Sequence, residues 1–128
     1  MIEDGRKSFV DIAAELDVTE TAIRKRVKRM VKEGIIIRYS VEVNPRKLGF
    51  GVRAIIGIDT TPQRYLDIIQ ILKKNDKILR LFSSSGDHMI MMESWFGDDE
   101  MLHEFLKYLE NIDGIIDICP AIINDMLK

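Results

Sequence analysis

Apolar residues recur at helical spacing in the first third of the chain, alternate with polar ones for a short stretch, and then fall into short strands separated by two helical runs. Phe9, Ile12, Ala13 and Leu16 share one face of a helix opened by Ser8, which forms a capping box with Asp11 three residues on. Asp17-Val18 leaves room only for a tight turn, and Thr19 is a good N-cap for the next helix. In residues 19–34, TETAIRKRVKRMVKEG, the residues Ile23, Val27, Met30 and Val31 form an apolar arc at about 100° per residue. Gly34 stands where a left-handed residue ends a helix. The period then changes to two: Ile35, Ile37, Tyr39, Val41 and Val43 alternate with Ile36, Arg38, Ser40 and Glu42, which predicts a strand ending at Asn44-Pro45.

NPRKLGFG is a turn and linker, with Pro45 fixing the backbone and Gly49 and Gly51 freeing it. Beyond it, VRAIIGIDT predicts a strand, and Thr61-Pro62 predicts a helix start, with Leu66, Ile69 and Leu72 on one face. ILRLFSS and HMIMMESW predict two strands joined around Ser85-Gly86-Asp87. Asp98 caps a helix with Leu102, Phe105, Leu106, Leu109 and Ile112 inward, ended by Gly114. IIDICPAII is a last strand, which Pro120 confines to an edge or bends. The order βαββαβ is that of a ferredoxin-like sandwich, so the fold class is α+β: an N-terminal helix-turn-helix and a C-terminal ferredoxin-like sandwich. The expected division is residues 1–34 for the helix-turn-helix, 35–50 for a hinge strand and linker, and 51–128 for the sandwich.

Charge sharpens the front of the chain. Thr21, Arg24, Lys25, Lys28, Arg29 and Lys32 fall opposite the apolar arc of the second helix, an almost wholly cationic front on a stiff rod. Such a helix suits the DNA major groove, although a solvated surface helix has the same pattern. The first helix and the tight turn tip the balance, because two helices so joined make a helix-turn-helix whose second helix reads the groove. An αα-hairpin without DNA stays open. Helix-turn-helix domains pack a third helix underneath; MIEDGRK before Ser8 is too short to supply it, so the motif is expected to be incomplete. Residues 1–50 carry eleven Lys/Arg against eight Asp/Glu, and residues 51–128 eight against thirteen, so nucleic-acid contact is expected only at the front.

Composition narrows the classes further. An apolar share of 46% and a charged share of 31% fit a globular chain rather than a disordered one. No apolar run approaches the roughly 18 residues of a membrane span and no signal peptide opens the chain, so no membrane role is expected. Cys119 is the only cysteine, which rules out an intrachain disulfide and suggests a cytoplasmic location. With His88 and His103 far apart in sequence, no zinc-module spacing exists and no metal ligands are assigned. ILRLF, MIMM and most of AIIGI place apolar residues on both faces, so both sheet faces are expected to be apolar. The uncovered one then needs a second subunit, most simply across a two-fold axis.

The run SFVDIAAELDVTETAIRKRVKRMVKEGIIIRYSVEVNPRKLGF, followed by βαββαβ with SSSGD between the middle strands, resembles the leucine-responsive/asparagine (Lrp/AsnC) family of transcription regulators. The resemblance spans nearly the whole chain. It implies a DNA-binding helix-turn-helix tethered by a hinge strand to an effector-binding, oligomerising domain. It further implies homodimers that assemble up to octamers, with small molecules, usually amino acids, bound around the loop Ser83-Ser84-Ser85-Gly86-Asp87-His88. It also implies a first helix, of which only Glu3-Asp4-Gly5-Arg6 match the exit. Met89 stands where the family's loop often has Asp, and Ile118-Cys119-Pro120 where the last strand often has hydroxyls, which points to a less polar effector, one of another class, or none.

Thr21, Arg24 and Lys25 are the candidates for base edges, since the early turns of a recognition helix lie deepest; Lys28, Arg29 and Lys32 suit phosphates. Thr19 joins this set, although capping is its simpler role, and Arg26 is placed to pair with an acid. Double-stranded DNA and a small-molecule effector are therefore the expected partners, with no cofactor and no catalytic residue. Two alternatives remain: an effector-sensing, oligomerising module that binds DNA weakly or not at all, and an enzyme like the branch of this architecture that decarboxylates a modified tetrapyrrole. Against the enzyme, the hinge strand holds no histidine or acid–base pair, and no nucleophile–base pattern occurs.

Overall fold

The structure, a computed structural model, describes residues 4–128. Glu3, part of the match to the exit of a preceding helix, lies outside the described residues. The chain divides into two compact units at Val43/Asn44.

In the first unit, Ser8 caps helix α1 (Phe9–Leu16) by accepting a hydrogen bond from the Asp11 amide at 3.1 Å. Asp17 ends the helix with φ 52°, a conformation that short polar side chains tolerate better than most. The turn leads to Thr19, whose hydroxyl accepts from the Ala22 amide at 3.2 Å and starts helix α2 (Glu20–Lys32). Beyond α2, Gly34 at φ 74° lets its own amide reach Val31 C=O and the Ile35 amide reach Met30 C=O, so two orphan carbonyls are satisfied. Ala13, Ile23 and Val27 are buried between the helices, with Phe9, Ile12, Val18, Met30 and Ile36 packed around them. Val31, expected in the apolar arc, is exposed.

The strand expected over residues 35–43 is not formed. Residues 37–43 are without ladder partners, and Ile37 and Val41 are 89% and 78% exposed. Alternation marks a segment able to enter a sheet; a strand also needs a neighbour to pair its amides and carbonyls, and among the described residues it has none.

The second unit opens with a short 3-10 turn at Arg46–Leu48 and continues as β1 (Val52–Thr60), α3 (Tyr65–Lys73), β2 (Ile78–Ser83), β3 (Ile90–Phe96), α4 (Asp99–Glu110) and β4 (Ile115–Ile122). The sheet order is β2-β3-β1-β4 with antiparallel neighbours throughout, the ferredoxin-like arrangement, and Pro120 sits on an edge strand. Ala54, Ile56, Ile58, Ile90, Met92 and Phe96 point from the central strands into a core completed by Ile68 and Leu72 of α3 and Leu102, Phe105 and Leu109 of α4. Asp98 caps α4 through the Met101 amide. Helix α3 starts later than Thr61-Pro62 predicts: Thr61 accepts from the Arg64 amide in a turn, and the inward residues become Tyr65, Ile68, Ile69 and Leu72, leaving Leu66 exposed.

The uncovered sheet face is not purely apolar, contrary to expectation. Ile55, Phe82 and Met91 are joined there by Glu93, which accepts from Arg53 Nε at 2.8 Å and Trp95 Nε1 at 3.1 Å, with Arg80 on its other oxygen at 3.9 Å. Register explains it. Arg53 of β1 stands opposite Trp95, one pleat from Glu93, and Arg80 of β2 stands opposite Glu93 itself.

On the helix side of β3, Ser94 is fully buried and its hydroxyl has no hydrogen-bond partner among the described residues. A stranded hydroxyl costs about 1–3 kcal/mol. Ser94→Ala is therefore expected to leave the unfolding free energy unchanged or raise it by up to about 1 kcal/mol; a loss above about 1 kcal/mol in chemical denaturation contradicts this.

Candidate nucleic-acid interface and ligand loop

The buried arc of α2 fixes the orientation of its opposite side. Thr21, Arg24, Lys25, Lys28, Arg29 and Lys32 are all exposed, and so is Arg26. Arg24 pairs with Glu20 at 2.7 Å and lies 5.2 Å from the centre of the Phe9 ring, which steers its stem toward the start of the helix. Arg29 pairs with Glu33 at 3.0 Å. Both are exposed pairs one helical turn apart, worth about 0.3–0.5 kcal/mol each, so a phosphate can displace either carboxylate at small cost. Lys25, Lys28 and Lys32, and also Arg26, have no acidic partner among the described residues. Arg26 thus departs from its expected pairing. Thr19 is where its capping role requires, with the hydroxyl turned to the helix backbone.

The loop between β2 and β3 is built differently. Ser83 closes β2 and lines a shallow cleft of about 280 Å³ with Tyr65, Ile69, Lys73, Leu81, Phe82 and Ile90. Ser84 is tied across the loop, its amide donating to Met89 C=O and its hydroxyl to His88 C=O. Ser85, Gly86 and Asp87 form the exposed tip, where Gly86 takes φ 122°. The base is anchored by Asp59 of β1, which accepts from the Met89 amide at 2.9 Å and bonds His88 Nδ1 at 2.9 Å. The His88 ring lies against Gly57: a methyl group there would sit 2.5 Å from His88 Cδ2, closer than atoms can approach. Glycine in the middle of this strand therefore serves the imidazole.

Antiparallel pairing of β1 with β4 sets Gly57 opposite Cys119 and Asp59 opposite Asp117. A ring nitrogen of His88, Cys119 Sγ and a carboxylate oxygen of Asp117 consequently lie within 4.8 Å of one another. The Cys119 thiol donates to Asp117 Oδ2 at 3.8 Å. Desolvation pushes this thiol up from its ordinary value, reinforced by the charge of Asp117, the hydrogen bond to it, and the charge of Asp59. Such a thiol is not an activated nucleophile. The hydrogen bond with His88 holds the Asp59 carboxyl below the usual carboxylate value, against some desolvation and with help from the Met89 amide.

Residues 1–37 match a family model described as winged helix-turn-helix DNA-binding. Over 127 residues the chain is 42% identical to the HTH-type transcriptional regulator LrpA of Pyrococcus horikoshii, covering 98% of this chain and 90% of that protein. The chain belongs to the Lrp/AsnC family of helix-turn-helix transcriptional regulators. Solved structures agree on the fold. The AsnC protein of Escherichia coli superimposes with a TM-score of 0.84 at 22% identity, covering 99% of this chain and 87% of that one. A transcriptional regulator of Neisseria meningitidis, solved with L-Met, gives 0.88 at 19% identity, covering 98% and 84%. Among the described residues no helix is long and apolar enough to cross a membrane.

Within this family member, sequence reasoning did not bring Asp59, Asp117 and Cys119 to His88. They lie 29 to 31 positions from it, yet a signal existed. Gly57 with Asp59, and Asp117 with Cys119, are two-residue steps on strands that the ferredoxin-like order makes neighbours, so each pair shares a face. Asp59 also yields a pH prediction. Its folded value lies below the ordinary 3.8, so its anchoring is complete above that value and is lost only as pH falls through the lower one. Hydrogen-exchange protection of the Met89 amide is expected to stay flat from neutral pH to about 4 and then fall, and to be weak at all pH values in Asp59→Asn. Equal protection in the variant at neutral pH contradicts the anchor.

Proposed function

We propose that the chain is a sequence-specific DNA-binding regulator that lays the outer arc of α2 in the major groove. Thr21, Arg24 and Lys25 address base edges, while Lys28, Arg29 and Lys32 hold phosphates; Thr19 acts at the helix N-terminus as cap. The observation that carries this is the exposed cationic arc, in which Lys25, Lys28 and Lys32 have no acid to neutralise them among the described residues. A small molecule, an amino acid or related metabolite, modulates binding or assembly from the loop Ser83–His88. Two things support it: the loop has a free tip on an anchored base, and a structural neighbour is solved with L-Met.

The working form is a homodimer, able to assemble further to an octamer. Among the described residues, buried Ala13, Ile23 and Val27 are a small core for the first unit, and units this small are marginal without help such as oligomerisation. Residues 37–43, without ladder partners among the described residues, and the exposed Ile55 and Phe82 give a second copy apolar surface to cover.

Binding to random duplex DNA, followed by anisotropy over a range of salt, tests the DNA interface. Affinity is expected to fall steeply with salt, and Lys28→Ala or Lys32→Ala each to reduce the log–log slope by about 1. No binding at low salt, or slopes unchanged in both variants, sinks the proposal. Sedimentation at micromolar concentration is expected to give a dimer or larger; a strict monomer contradicts the assembly.

A further inference from the structure

We infer that the end of the uncovered sheet face beside the ligand loop binds a divalent transition metal of the zinc type, held by His88, Cys119 and Asp117. This site lies within the second unit and does not depend on the DNA-binding reading. Thiolate, imidazole and carboxylate together are a donor set for zinc and its neighbours rather than for calcium or magnesium, which take oxygen alone. The three donor atoms already lie within 4.8 Å of one another. Around a tetrahedral zinc, sulfur and oxygen donors stand about 3.6 Å apart, and Cys119 Sγ lies 3.8 Å from Asp117 Oδ2. A ring nitrogen of His88 lies within 4.8 Å of both, and Cys119 and Asp117 are exposed and free to adjust.

Two further features mark a built site. Asp59 engages His88 Nδ1 at 2.9 Å, leaving the Nε2 lone pair for a metal; a carboxylate orienting a histidine in this way is the usual support for a metal ligand. Gly57, opposite Cys119 in the ladder, clears the space that the ring occupies. Asp59 and Asp117 bring negative charge to the spot, which favours a cation over a bare thiolate. On binding, the Cys119 S–H proton passes to solvent as the sulfur–metal bond forms. Three protein donors leave one coordination position for water or for a donor atom of a small ligand, as in zinc sites that exchange ligands rather than purely structural ones.

Cobalt(II) titration of the full chain, kept reduced with a non-chelating phosphine, tests the site, with zinc chloride as competitor. A near-ultraviolet thiolate-to-cobalt band is expected to saturate at one ion per chain and to be bleached by zinc. Cys119→Ser is expected to abolish the band, and His88→Ala and Asp117→Asn each to weaken binding at least about tenfold. Asp59→Asn, which removes only the orienting group, is expected to cost about 10–100-fold. Asp76→Asn, in the exposed turn before β2 and outside the ligand loop, leaves the affinity unchanged. Cys119 and Asp117 are exposed, so their replacement leaves the core intact, and circular dichroism verifies this. The absence of a thiolate band in the unaltered chain overturns the inference. An affinity indifferent to both His88→Ala and Asp117→Asn overturns it equally, since the cobalt then sits on the cysteine alone.

Discussion

The left-handed turn at Asp17 decides what the front of this molecule can do. It is the one non-glycine residue with positive φ among the described residues, and it joins two helices that are each capped by a hydroxyl, Ser8 and Thr19. With both helix starts and the turn fixed, α1 and α2 can cross in few ways. The crossing that buries Ala13, Ile23 and Val27 leaves every lysine of α2 in solvent. The cationic arc is thus a consequence of backbone geometry as much as of composition. A residue at position 17 with a β-branched side chain would strain that turn and loosen the arc together with it.

The second unit uses a conventional core to support an unconventional outer face. Its helix side is filled by isoleucine, leucine and phenylalanine at strand and helix periods, which fixes the register of all four strands. Once register is set, polar residues on the other side meet in defined groups. One group is Glu93 with Arg53, Arg80 and Trp95; the other is His88 with Asp59, Asp117 and Cys119. The first is held by an ion pair with Glu93 at 11% side-chain exposure, too covered to be an ordinary surface contact. The second holds the base of a loop whose tip is free. An apolar core on one face therefore positions chemistry on the other, as a sheet with period-two side chains must do.

Local chemistry made much of this legible from residues alone. Ser8, Thr19 and Asp98 each capped the helix that their spacing predicted, and VRAIIGIDT formed the strand expected of it. Failures came where a local signal needed a distant partner. The alternation of Ile35 to Val43 predicted a strand, but no neighbour among the described residues supplies the ladder. Thr61-Pro62 has the composition of a helix start, yet the chain spends it on a turn before Tyr65 because Ile68 and Leu72 must face the sheet. MIMM and ILRLF hid the charged cluster on the open face, since Glu93 and Arg53 lie 40 residues apart and meet only through register. The histidine cluster was missed for the same reason, because spacing along the chain says nothing about strands that return side by side.

The central claim, that α2 presents its outer arc to DNA, is tested most directly by nuclear magnetic resonance mapping of the full chain titrated with a short duplex. Shifts confined to Thr21, Arg24, Lys25, Lys28, Arg29 and Lys32 and their immediate neighbours, with Ile23 and Val27 moving little, are the result predicted. Shifts spread over the second unit with the α2 arc silent contradict it.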